Sequence, residues 1–154
     1  MSAQDTSAQA IFEHSPWVEE RADARPSSGD RHADLMAVVH AASPDERLAL
    51  IRAHPELAGK AAIDRTLTSA SAAEQASAGL DRLTPQEFES FHALNAAYRD
   101  KFAFPFIICV RLTDKAGILA EMKARLENDR ETEIAAAIAQ IGEIVRLRLE
   151  DMQA

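Results

Sequence analysis

The chain is poor in the residues that staple, bend or anchor a protein. It has a single cysteine, Cys109, so an intrachain disulfide is excluded. Its place between Ile108 and Val110 reads as a buried, inert thiol rather than a nucleophile, which needs a polar, electropositive niche. There are only five glycines. No Gly-x-Gly-x-x-Gly, P-loop or serine elbow occurs, which removes the common nucleotide and hydrolase signatures. No His-x-x-x-His or Cys-x-x-Cys spacing is present, and a metal site is not expected. No apolar run approaches the ~18 residues of a membrane span. Basic residues are outnumbered, 17 Lys and Arg against 25 Asp and Glu, for a formal net charge of −8. Without a basic stripe to neutralise phosphates, nucleic-acid binding is not expected. An anionic small substrate stays compatible, because one local arginine outweighs a distant negative field once water is excluded. No basic-then-apolar leader opens the chain, and Asp151-Met152-Gln153-Ala154 is not a peroxisomal tripeptide; a cytoplasmic protein is the expectation.

What is abundant is alanine, within a chain that is 47% hydrophobic and 27% charged. Alanine is the best helix former, so the balance predicts an all-α fold. The length of 154 residues suits one domain, residues 1–154, with a real core. Proline-led helix starts punctuate it. Ser15-Pro16 places a cap residue before a proline suited to the first helical position, with Trp17 and Val18 as apolar anchors. Ser43-Pro44-Asp45-Glu46 is a capping box opening a helix to about Ala53, and Thr84-Pro85-Gln86-Glu87 repeats the device. The second helix carries Phe88, Phe91, Leu94, Asn95 and Tyr98 at spacings of three and four, and stops near Phe104 because Pro105 follows. Pro26 to Asp30 reads as an exposed turn. Further helices are predicted over 31–42 (Leu35, Met36, Val38, Val39), 116–127, and 130–152 (Ile134, Ile138, Ile141, Val145, Leu149). Gly142 weakens the last one, or permits close helix packing. Residues 56–68 form the least regular stretch, and long irregular connections in compact helical domains are more often functional than idle.

Of five histidines, most lie in helical patterns among alanines and charges. His54 differs: it ends a capped helix, with Pro55 closing it. A helix C-terminus favours the imidazolium, which suits a proton donor; the alternative is a histidine that merely contacts the last carbonyls. Ser71, Glu74 and Gln75 share one helical face, although Ser71-x-x-Glu74 alone reads first as a capping box. Gly79 then ends that helix. Lys60 after Gly59 suits a Schiff base, with nothing further in support. The run Phe102-Ala103-Phe104-Pro105-Phe106-Ile107-Ile108-Cys109-Val110-Arg111 reads by itself as a piece of core. Beside His54 and Glu74 it reads instead as a pocket wall, with Arg111 as anion clamp or as partner of a protein carboxylate. The residues thus reach a cofactor-free site with His54 and Glu74 as proton handlers, and not yet a reaction.

These motifs, in order, resemble the 2-oxo-4-hydroxy-4-carboxy-5-ureidoimidazoline (OHCU) decarboxylases of purine breakdown. The resemblance covers nearly the whole chain: Ser15-Pro16-Trp17-Val18, His54-Pro55-Glu56-Leu57-Ala58-Gly59, Ser71-x-x-Glu74-Gln75-x-x-Ala78-Gly79-Leu80, and Phe91-x-x-Leu94-Asn95-x-x-Tyr98-x-x-Lys101-Phe102. It continues through Phe104-Pro105-Phe106-Ile107-Ile108-Cys109-Val110-Arg111 to the helix with Gln140-Ile141 and Arg146-Leu147. Ala103 departs from it, since the family usually has glycine there. The resemblance implies an all-α, cofactor-independent carboxy-lyase of urate degradation, usually a homodimer, that forms S-allantoin. It implies His54 as proton donor assisted by Glu74, with substrate contacts from Pro55, Ser71, Gln75 and the backbone of Phe106, Ile107, Ile108, Cys109 and Val110. If that backbone is irregular, its N–H groups are open to a flat polar heterocycle. A lyase or hydrolase acting on another ureido compound, or a non-catalytic helical binding module, are the alternatives; the module is disfavoured because His54 and Glu74 are both kept.

Overall fold

The computed structural model describes residues 11, 12, 14–58 and 67–153, the last by its backbone alone. Gly59 and Lys60, and with them the Schiff-base candidate, lie outside the described residues. Those residues form seven α-helices, one short 3-10 helix and no strand. The α-helices are α1 (Trp17–Asp23), α2 (Arg31–Ala41), α3 (Pro44–Arg52), α4 (Ser69–Ser77), α5 (Pro85–Phe102), α6 (Lys115–Arg125) and α7 (Arg130–Gln153), with the 3-10 helix at Val110–Leu112 between α5 and α6. None of the helices described is long and apolar enough to cross a membrane.

Local chemistry sets most boundaries. Both capping boxes form: Ser43 with Glu46 starts α3 and Thr84 with Glu87 starts α5, each with proline in the first turn. The helix α4 ends in a Schellman turn, in which Leu80 N–H reaches the Gln75 carbonyl and Gly79 N–H the Ala76 carbonyl. Gly79 supplies the left-handed φ of 82° that this turn requires. The helix α5 stops at Phe102, two residues before the expected Phe104. Ala103 turns left-handed there, at φ 65° and ψ 28°.

Three expectations are corrected. Ser15 lends no side-chain cap to α1; its carbonyl takes the Val18 N–H instead. Ser71 does not cap α4 either. Thr68 does, accepting the Ser71 N–H at 3.1 Å, so Ser71 and Glu74 both sit inside the helix and neither caps it. Phe88 is off the buried stripe of α5: it is 38% exposed and stacks on His92, while Phe91, Asn95, Tyr98 and Phe102 are buried.

The long helix α7 packs on α2 and α3, and α5 packs on α6. Leu35, Val38 and Val39 of α2, Leu50 and Ile51 of α3, Phe91 and Tyr98 of α5, Ile118 and Met122 of α6, and Ile141 and Val145 of α7 fill the core. The Tyr98 ring meets Phe102, Phe104 and Phe106 at centroid separations of 4.6, 5.9 and 5.3 Å, so the segment after α5 is nailed to the core by aromatic side chains. Burial, aided by the Glu133 carboxylate, pushes the Tyr98 hydroxyl far above its usual range and keeps it a donor.

Candidate active site

Two irregular segments face each other across a cleft. The first follows α3. His54 lies just past the helix end, and its Nδ1 is 2.9 Å from the Leu50 carbonyl. A carbonyl only accepts, so Nδ1 carries the hydrogen in this contact. His54 thus bonds a last-turn carbonyl, as the structural alternative expects, and the same side chain lines the cleft. Residues 55–58 then leave the helix without regular structure. Helix side chains hold them. Gln75 Oε1 accepts the Ala58 N–H at 2.9 Å, Asn95 Nδ2 donates to the Leu57 carbonyl at 2.9 Å, and Arg99 pairs with the Glu56 carboxylate. Ala58 is left-handed, with φ 52°.

The second segment runs from Pro105 to Cys109 with no helix or strand, before the 3-10 helix begins at Val110. The apolar side chains Phe106, Ile107, Ile108 and Val110 are all buried. Burial pushes the Cys109 thiol above its usual pKa; the Arg111 backbone N–H opposes this and the Glu74 carboxylate adds to it. Cys109 is thus a thiol rather than a thiolate at neutral pH, in line with the inert reading.

Helix α4 forms the floor, with Ser71 and Gln75 buried. Glu74 meets Arg148 of α7 in a bidentate pair, Nε to Oε2 at 2.8 Å and Nη2 to Oε1 at 2.7 Å. The side chains are 7% exposed for Arg148 and 13% for Glu74. Arg148 also donates to the Ile11 carbonyl at 3.1 Å and lies 3.5 Å from Ser71 Oγ. Such a fork occupies both Glu74 oxygens with charge-assisted N–H bonds and fixes the orientation of the side chain.

The cleft encloses about 480 Å³ with its open mouth included. It is lined by His54, Pro55, Ser71, Glu74, Gln75, Phe106, Ile107, Ile108, Cys109, Val110 and Arg111. Leu57, Ile144 and Arg148 complete the lining. Arg111 lies at the rim and pairs with Asp151 at 2.7 and 3.1 Å, a bond that holds its guanidinium firmly charged. Arg148 is the charged cleft residue that the sequence reading missed. Its signal was an arginine three residues after Val145 and seven after Ile141, beside an apolar stripe where a cation needs a buried partner. Among the described residues no three His, Cys, Asp or Glu side chains group as a metal site.

The chain is similar to known proteins along most of its length. Over 146 residues the chain is 43% identical to the uric acid degradation bifunctional protein PucL of Bacillus subtilis, covering 93% of this chain and 29% of that protein. It is 41% identical over 145 residues to the 2-oxo-4-hydroxy-4-carboxy-5-ureidoimidazoline decarboxylase of Haloferax volcanii, covering 92% of this chain and 83% of the relative. The crystal structure of an (S)-allantoin synthase superposes with a TM-score of 0.70 at 30% identity, over 96% of this chain and 48% of that one. The chain thus spans under a third of the bifunctional relative and most of the archaeal one. The OHCU decarboxylase family model matches residues 2–150, and the chain belongs to that family.

Proposed function

We propose that this family member catalyses the cofactor-independent decarboxylation of OHCU to S-allantoin in urate degradation, as a single domain over residues 1–154. The observation that supports this most is the convergence in one cleft of a histidine pinned at Nδ1 and a glutamate held in a bidentate pair by arginine. The bond from the ring carbon to the carboxylate breaks, carbon dioxide leaves, and the electron pair moves into the conjugated ring, so the substrate is its own electron sink. One proton must then be added to a ring carbon. His54 Nε2 delivers it from one side of a flat substrate, and a fixed ring delivering to one face yields one enantiomer. Glu74 accepts from the hydroxyl or ureido N–H groups and orients them. Arg148 holds Glu74 in that orientation, and Arg111 steers the substrate carboxylate at the rim. Backbone groups of Phe106 to Val110, with Pro55, Ser71 and Gln75, complete the contacts. A homodimer is part of the proposal; it rests on the resemblance, and light scattering tests it. A cytoplasmic location is proposed as well, and cell fractionation tests it.

The test is to generate OHCU from urate with the two upstream enzymes and follow its decay by circular dichroism. S-allantoin is expected to form much faster with the protein than without it; an equal rate sinks the reading. His54→Ala should lower the turnover by about 10²–10⁴-fold, the scale of a positioned general acid, with the helical signal retained. An unchanged rate would move the proton donor elsewhere.

A further inference from the structure

Ile108 sits between two peptide units whose orientation is set from outside the cleft. On one side the Ile107 carbonyl accepts from Arg125 Nη1 at 2.7 Å. On the other the Cys109 N–H donates to Gln140 Oε1 at 2.9 Å. In a planar trans peptide the C=O and N–H of one unit point in opposite directions. Drawing the Ile107 carbonyl to Arg125 therefore turns the Ile108 N–H away from Arg125. Drawing the Cys109 N–H to Gln140 turns the Ile108 carbonyl away from Gln140. Among the described residues neither polar backbone group of Ile108 has a hydrogen-bond partner. Yet Ile108 is 8% exposed and lines the cleft. An open donor and acceptor, side by side on a buried residue, are costly unless a ligand bonds them.

The grip on these planes is itself rigid. Arg125 is 6% exposed, donates through Nε to Glu133 Oε1 at 2.8 Å, and lies 4.4 Å over the Phe106 ring. Glu133 is fully buried and also accepts from Tyr98 Oη and Asn128 Nδ2. Arg125 Nη2 is buried with no partner among the described residues. A buried ion pair with an unsatisfied nitrogen is a poor route to stability, and its geometry fits a positional role better.

We propose that Arg125 and Gln140 are positioning residues. They set the peptide planes either side of Ile108 so that its N–H and C=O together read an amide or ureide edge of the substrate, where an acceptor and a donor also lie side by side. The inference rests on the decarboxylase reading and deepens it. Gln140→Leu removes the acceptor at nearly constant shape. It should raise KM, and the dissociation constant of S-allantoin, by about fivefold, the scale of one oriented hydrogen bond, with kcat changed less than about twofold and an unaltered melting curve. Gln140→Glu keeps an acceptor oxygen and should restore both constants. Arg125→Lys should raise KM similarly, since one ammonium cannot hold Glu133 and the Ile107 carbonyl together; if that variant fails to fold, the Gln140 pair decides. Unchanged constants in Gln140→Leu, or a Gln140→Glu variant as impaired as Gln140→Leu, overturn the positioning claim. If the parent protein neither accelerates OHCU decay nor binds S-allantoin, the decarboxylase reading fails and this inference with it.

Discussion

Glu74 and Arg148 meet through two short hydrogen bonds where neither side chain is much exposed, so deleting one strands the other. Arg148→Met leaves a nearly buried carboxylate uncompensated and drops the contact to the Ile11 carbonyl. Breaking such a pair costs about 3–5 kcal/mol, which denaturant unfolding would register together with loss of turnover. The instructive comparison is Arg148→Met combined with Glu74→Leu. With no charge left to strand, stability should return most of the way while turnover stays lost. Full recovery of turnover would mean the pair serves only the fold. The residue scale is also where the sequence was least legible. His54 and Glu74 stood out by their neighbours in the chain, whereas the partner of Glu74 lies 74 positions away. Gln75 was noticed as a polar residue that a cap does not explain. The structure gives its amide a second occupation, tying Ala58 to α4.

At the scale of elements, helix starts were legible because capping chemistry is local. Ser43-Pro44-Asp45-Glu46 and Thr84-Pro85-Gln86-Glu87 contain all the groups their boxes need, and both boxes form. Ser71-x-x-Glu74 fits the same pattern, but Thr68 captures the helix first; pattern alone cannot rank two overlapping caps. The segment after α5 was ambiguous for another reason. Its apolar content gives the same signal for a core helix end and for a wall, and what separates them is where its backbone groups go. Ala103 makes this turn carry strain, because a Cβ disfavours the left-handed region. Its carbonyl, held by Arg52 Nε at 3.0 Å, keeps the turn in place regardless. Ala103→Gly relieves the strain and gives back part of the gain through the freer unfolded chain. A net stabilisation of about 0.5–1 kcal/mol is expected, with a Tm rise of about 2–3 °C at this chain length. A drop in Tm would show that the methyl is packed rather than strained.

Across the whole molecule one helix organises the site. At 100° per residue, the α7 positions Glu133, Gln140, Ile144, Arg148 and Asp151 fall within about 80° of one another, spread over about 27 Å of helix. In that order they anchor Arg125, bond Cys109, line the cleft, lock Glu74 and tether Arg111. The apolar stripe read from the sequence, Ile134 to Leu149, lies beside this band and not on it, which is why periodicity found the core and passed over the site. Gly142 lies on the far side of the stripe, where an added Cβ would meet only the flexible end of Met36, at 3.4 Å. Glycine inside a helix costs about 1 kcal/mol relative to alanine, and the Met36 thioether can yield a few tenths of an ångström. Gly142→Ala should therefore raise Tm by about 2–4 °C while kcat and KM stay at parental values, because nothing on the site-facing band moves. If Tm falls, α2 and α7 are packed too tightly for the methyl. If Tm rises but KM or kcat shifts as well, α7 bends during turnover, and its role as a rigid spine for both walls of the cleft is wrong.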